Sequence, residues 1–317
     1  MANVLEDHQE PMTTSIEDQN YPGLYQSANQ ASLSAQRRYL CLQKSYIGCL
    51  ILGSVGAALA TIVPVVAVKW TYIVLSIVLV TGVVLTWVSR VRRDDKVWFD
   101  CRAIAESTKT ATWRFMVKAA PFKDDSIARQ SFIGQLQLIR KERHFSSHDL
   151  AHSLDANTQS ISDFMKNARQ KPLNEQRNLY IESRLRDQKA WYSNKAKFNS
   201  KKESCWFWVV LALHVFAITL AVIQACLGGL PVNMVPLLMT LAASAIAWSQ
   251  MKRYGELAQT YSLSAQELGD QEAIASDITE EADFLALVEQ VEETISREHT
   301  MWCARRNVII RPTDKGN

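Results

Sequence analysis

The sequence predicts an all-α membrane protein: two duplicated transmembrane helical hairpins, four spans in all, with long cytoplasmic helices. Three observations predict it. Four stretches without Asp, Glu, Lys or Arg run over 46–68, 71–89, 205–227 and 231–249. At 1.5 Å per residue, a helix needs roughly 20 residues to cross a hydrocarbon core of about 30 Å. The stretches are paired, with only Lys69 and Trp70 inside the first pair and Gly228, Gly229 and Leu230 inside the second. Loops that short admit only antiparallel hairpins. Finally, landmarks recur at an offset of 161 residues, Tyr46 falling on Phe207, Trp87 on Trp248 and Glu106 on Glu267. A parallel repeat of helix, hairpin and exiting helix follows. The mean hydropathy of −0.09 averages greasy spans with highly charged stretches.

The elements read in order. Residues 1–36 contain Glu6, Asp7, Glu10, Glu17 and Asp18 but no Lys or Arg, which predicts a disordered acidic arm and no signal peptide. The first two-span unit covers 37–122. In its first span Gly53, Gly56, Ala57 and Ala60 have small-xxx-small spacing, which lets another helix approach closely, within the hairpin or from another copy. Trp87, Trp206, Trp208 and Trp248 mark one bilayer interface, and Trp70 with Tyr72 the other. From Asp95 to Met116, the series Val97, Cys101, Ile104, Thr108, Ala111 and Phe115 predicts an amphipathic helix, ended by Pro121. Shorter helices fill 123–173, capped at Ser146 or Ser147 and at Ser162 or a nearby polar residue. The second unit, 174–307, begins with a polar helix over 174–199 that runs into the third span. It closes with a heptad series of Phe284, Val288, Val291 and Ile295, a stripe that needs a partner surface, within the fold or between copies. Residues 308–317 form a tail.

Basic residues gather beside the spans: Arg37, Arg38 and Lys44; Arg90, Arg92, Arg93 and Lys96; Lys195, Lys197, Lys201 and Lys202; Lys252 and Arg253. The hairpin loops offer only Lys69. That asymmetry places both termini and the soluble mass in the cytoplasm. A net charge of +3 gives no reason to expect a nucleic-acid partner. Six cysteines without a CxxC pair predict reduced thiols, with neither disulfide nor zinc site. No Walker loop, Rossmann glycine pattern, GxSxG or HExxH is present, so no enzyme and no cofactor is expected. His144, His148 and His152 have helical spacing, but read as a solvated polar face rather than a metal site.

Polar groups within the spans are the functional clue. His214, Gln224, Thr61, Thr81, Thr219 and Thr240 either line a hydrated conduit or bond between helices. With no carboxylate in any span, a conduit would be weakly selective and gated by an apolar constriction.

The run Trp98, Arg102, Ala105, Glu106, Lys109, Trp113 and Arg114 to Pro121-Phe122 resembles the post-hairpin helix of the SLATT superfamily. Tyr180, Arg184, Asp187, Gln188, Trp191, Tyr192, Lys195 and Ala196 resemble the segment ahead of a hairpin, and Ser296, Arg297, Glu298, His299 and Trp302 its close. The resemblance covers about residues 37–306 and is to the tandem branch. It implies two-span units associated with nucleotide-signal sensors in bacterial conflict systems, for which pore formation has been proposed. The expectation is a homo-oligomeric effector of the bacterial inner membrane. Its partners would be membrane lipid, further copies, and a cytoplasmic nucleotide-signal sensor or partner protein. The alternative is a non-conducting anchor that docks a cytoplasmic partner on the 278–306 helix.

Overall fold

The computed structural model describes residues 17–142, 159–227 and 232–305, and every regular element among them is helical. In chain order these are α1 (Gly23–Leu59), α2 (Val65–Arg92), α3 (Asp94–Met116), α4 (Ala128–Glu142), α5 (Asp163–Gln170) and α6 (Leu173–Tyr180). A π-helical stretch, Ile181–Arg186, leads into α7 (Asp187–Leu227), α8 (Val235–Lys252), α9 (Tyr254–Ala275) and α10 (Glu281–Arg305). The chain forms two units. A hairpin unit comprises Gln36–Asp94 and Lys197–Ala258; a core unit comprises the described residues up to Ala35, Asp95–Ala196, and those from Gln259 onward.

Among the described residues, three helical runs are long and apolar enough to cross a membrane: Gly23–Leu59, Val65–Met116 and Leu173–Cys226. Their apolar windows are 0, 0 and 6% buried, respectively. Val65 and Val66 are 90 and 87% exposed, and Val74, Ile77, Val80, Val83, Phe207, Phe216 and Ile218 lie open as well. An apolar surface of that extent marks a membrane or partner contact rather than a face for water. The remaining hairpin helix, α8, has 18 residues.

The first hairpin turns earlier than its apolar pattern predicts. The break falls at 60–64, and Lys69 and Trp70 lie inside α2, both exposed. Pro64 is the reason: it has no N–H to continue the α1 ladder and restricts the residue before it. The chain tightens instead through Thr61 N to Ala58 O at 3.3 Å and Ile62 N to Leu59 O at 3.0 Å. Pro64 then caps α2. In the second hairpin α8 starts at Val235, where the Asn233 side chain accepts from the Val235 N–H at 3.1 Å. Residues 228–231 are outside the described set.

The duplication is visible in how the hairpins end. Arg93 and Arg253 both adopt left-handed backbone, φ 50° and 55°, and each donates its N–H back to a serine carbonyl, Ser89 or Ser249. Within the first hairpin, a Cβ on Gly53 would lie 3.9 and 3.8 Å from the Leu75 and Leu79 methyls, and one on Gly56 3.5 Å from Leu75. These small residues therefore seat α2 against α1, while Ala57 is exposed.

In the core unit the two predicted stripes are buried in full. Val97, Cys101, Ile104, Thr108, Ala111 and Phe115 face inward from α3, as do Phe284, Val288, Val291 and Ile295 from α10. The acidic arm is shorter than expected. Helix α1 begins at Gly23, and Tyr21, Tyr25, Ala28, Ser32 and Ala35 are buried at alternating spacings of four and three. Alanine and serine leave little hydrophobic signal, yet they let a helix pack closely. Its start is tied down by Gly23 N to Gln159 O at 3.1 Å and Ser162 Oγ to Asn20 O at 2.6 Å. Ser162 also caps α5 as predicted, accepting from Met165 N. The remainder of the arm, the Ser146/Ser147 cap and the 144–152 histidines lie outside the described residues.

Candidate functional site

The π-helical stretch organises the most unusual chemistry in the core unit. An i→i+5 stretch widens the helix and commonly marks a functional position. Here it carries Ser183, Arg184 and Leu185, all buried, between Tyr180 and Gln188, which are buried too. Arg184 and Glu292, both 0% exposed, form a two-pronged ion pair: Nε to Oε1 at 2.9 Å and Nη2 to Oε2 at 2.7 Å. The same carboxylate accepts from Tyr180 Oη at 3.1 Å and Thr110 Oγ1 at 2.8 Å. The guanidinium still presents a buried Nη1 without a hydrogen-bond partner, and Thr108 Oγ1 is likewise unpartnered.

A second layer surrounds the pair. Trp113 donates through Nε1 to Tyr21 Oη at 3.1 Å and meets the Tyr180 ring edge-on at 5.7 Å. Tyr180 in turn meets Phe284 edge-on at 6.0 Å. Lys109 is buried, with Nζ 5.9 Å from the centre of the Tyr21 ring. Arg102 bridges Glu106 at 2.8 Å on the same helix.

Burial sets the electrostatics. It pushes the Lys109 ammonium down to about 8, helped by the positive charge of Arg184 and opposed by Glu106. Burial raises the Tyr21 phenol, and it raises Tyr180 with the Glu292 charge adding to it. It raises Asp187 as well, against the pull of Lys109. For Arg184 desolvation acts to lower the pKa, but the contacts with Glu292 outweigh it and hold the group firmly protonated. The arrangement is a fixed, dry charge pair fenced by aromatic rings. It locks α3, the π stretch and α10 into one register.

Of the residues singled out by sequence, Glu106, Tyr180, Arg184 and Gln188 lie buried in or beside this network; Trp98 and Tyr192 are buried as well. Trp191 packs on Tyr192 and Tyr261 at 5.1 and 5.4 Å. Glu298, His299 and Trp302 lie on the last turns of α10, and their side chains are outside the described residues. Glu292, Thr110 and Tyr21 were missed. Glu292 did leave a signal: it sits four residues after Val288 and three before Ile295, a carboxylate on an apolar stripe.

The candidate pore-lining side chains mostly turn back on their own helices. Thr81 Oγ1 donates to Ile77 O at 2.8 Å, Thr219 to Val215 O at 2.9 Å, Thr240 to Pro236 O at 2.9 Å and Thr61 to Ala58 O at 2.7 Å. His214 Nδ1 lies 2.8 Å from Val210 O, which requires the proton on Nδ1. Gln224 is half-buried near the end of α7. Phe284, Val288 and Val291 are spent inside the core unit, so that stripe offers no free docking face.

Residues 22–177 match the family model described as SMODS and SLOG-associating 2TM effector domain 3, and residues 180–302 match that of effector domain 1. The two matches adjoin at the end of α6, just before the π stretch. No curated protein and no solved structure matches the chain.

Proposed function

Because the chain belongs to the SLATT superfamily, as two such domains in tandem, we propose that it is a four-span effector that assembles with further copies into a membrane pore. The observation that carries this reading is the apolar surface of the hairpin unit, whose span windows are almost wholly unburied. Lipid covers such a surface in the bilayer, and other hairpins cover part of it in the pore we propose. Helix α8, at 18 residues, measures about 27 Å at 1.5 Å per residue, and it supplies the fourth span with the residues leading into it. The basic residues beside Trp87, Trp206 and Trp248 favour both termini in the cytoplasm, and the family resemblance points to a bacterial inner membrane. The core unit then receives the trigger, a nucleotide signal or a cytoplasmic partner protein. No catalytic step and no nucleic acid enter this reading.

The test is flux. Purified protein in liposomes is expected to pass ions or dye once activated, and a His214→Leu variant to alter the single-channel current. Tight liposomes across all candidate triggers, from a strictly monomeric particle, would sink the pore. A non-conducting anchor is the second reading. It is favoured by the span hydroxyls, which satisfy themselves on their own helices rather than facing a conduit.

A further inference from the structure

The core unit holds a basic cleft apart from the Arg184–Glu292 network, and we propose that it binds a small, water-soluble phosphorylated molecule. The cleft lies between α4, α5 and the loop after α3 and encloses about 710 Å³, within the range of roughly 300–1,000 Å³ typical of small-molecule sites. Four cations line it, Lys118, Arg129, Lys166 and Arg169, against one acid, Asp125.

The cations divide by role. Arg169 is buried, its guanidinium donating to the carbonyls of Phe115 at 2.6 Å and Phe122 at 2.8 Å, bridging Asp125 at 2.5 Å and lying 4.8 Å from the centre of the Phe115 ring. It is a fixed floor whose charge Asp125 partly offsets. Lys118, Lys166 and Arg129 stand at the rim. Lys118 reaches Asp125 at 3.0 Å and Lys166 reaches Asp163 at 2.8 Å. Both are water-screened pairs that a multivalent anion displaces readily. Asp125 is held ionised by its hydrogen bonds from Lys118 and Arg169, so it partly neutralises the cleft. With Asp163 counted beside Lys166, two positive charges remain in excess.

Lys118, just beyond the end of α3, adopts left-handed backbone, φ 56°, as Arg93 and Arg253 do after their own helices, and its side chain reaches the rim of the cleft. Phosphate groups suit this lining, because they offer several acceptor oxygens to ammonium and guanidinium groups on different elements.

Binding is read without any measurement of conduction, so it stands or falls separately from the pore. The full chain in detergent is titrated with inorganic pyrophosphate, following thermal unfolding and heats of binding. Saturable binding is expected, with at least a tenfold loss of affinity in the Arg129→Gln, Lys166→Gln double variant. Arg140→Gln, an exposed change at the far end of α4, should leave binding unchanged. Both variants alter exposed side chains, so their unliganded melting points should match the parent. Binding that never saturates, or that the double variant retains, would identify an adventitious ion and overturn the site. So would a cleft that ignores pyrophosphate and discriminates only between nanodiscs with and without phosphatidylglycerol.

Discussion

Taking Arg184 and Glu292 out of water costs several kcal/mol per ion before their mutual bonds offset it. Removing one partner leaves the other charged and stranded. Glu292→Leu is therefore expected to cost about 3–5 kcal/mol, whereas the Arg184→Met, Glu292→Leu pair should cost distinctly less. Thermal unfolding of the two proteins decides it; equal losses would mean that the charges are not the issue. Lys109 makes a second prediction at this scale. The folded chain holds its proton less tightly, at about 8 rather than the ordinary 10.5. The resulting penalty is complete below pH 8 and fades as pH climbs from there. Above pH 10 the unfolded chain releases phenol protons that Tyr21 and Tyr180 keep when folded, so stability falls again. Unfolding midpoints should rise from pH 8 to about 10 and then decline, and Lys109→Met should lack the rise. Arg184 and Tyr180 were legible in the sequence through their resemblance to a family motif. Their carboxylate partner was not, since it is 108 residues from Arg184 and no local pattern joins the two.

Helices were the most legible elements, and their limits the least. Every stripe residue read from the periodicity of α3 and α10 faces inward, because large apolar side chains announce a stripe. The first turns of α1 escaped because their stripe is built from tyrosine, alanine and serine, in a stretch whose acidic composition argues for disorder. The hairpin turn escaped for a different reason. Hydropathy runs unbroken through Pro64, and only the missing N–H of that residue, not its polarity, stops the helix. Packing within the hairpin makes a prediction here. A methyl at Gly53 meets the Leu75 and Leu79 side chains at ordinary contact distance, so Gly53→Ala should leave the melting point within a few degrees. Gly53→Leu should force α1 and α2 apart and lower it markedly. If cysteine pairs placed across the two helices crosslink equally well in both variants, the close approach is not set by this glycine.

Across the whole molecule, the two family domains do not correspond to the two units. Each domain contributes residues to both, and the buried pair is completed only by the two together: Arg184, Tyr180 and Glu292 from one, Thr110 and Trp113 from the other, with Tyr21 one residue ahead of it. Chains split between 177 and 180 and carrying different tags should therefore co-purify when expressed together, and each half alone should be recovered poorly. Two halves that are each stable and ignore one another would contradict this. The repeat itself was legible from the spacing of Trp87 and Trp248, but not the interleaving, which depends on contacts between residues far apart in sequence. In the pore proposed above, the paired hairpins would impose an arithmetic on assembly. A gene that encodes two staves at once would close that barrel only in even numbers, with neighbours around its rim alternating between seams sewn within a polypeptide and seams between polypeptides. Only the latter are open to dilution, competition or control.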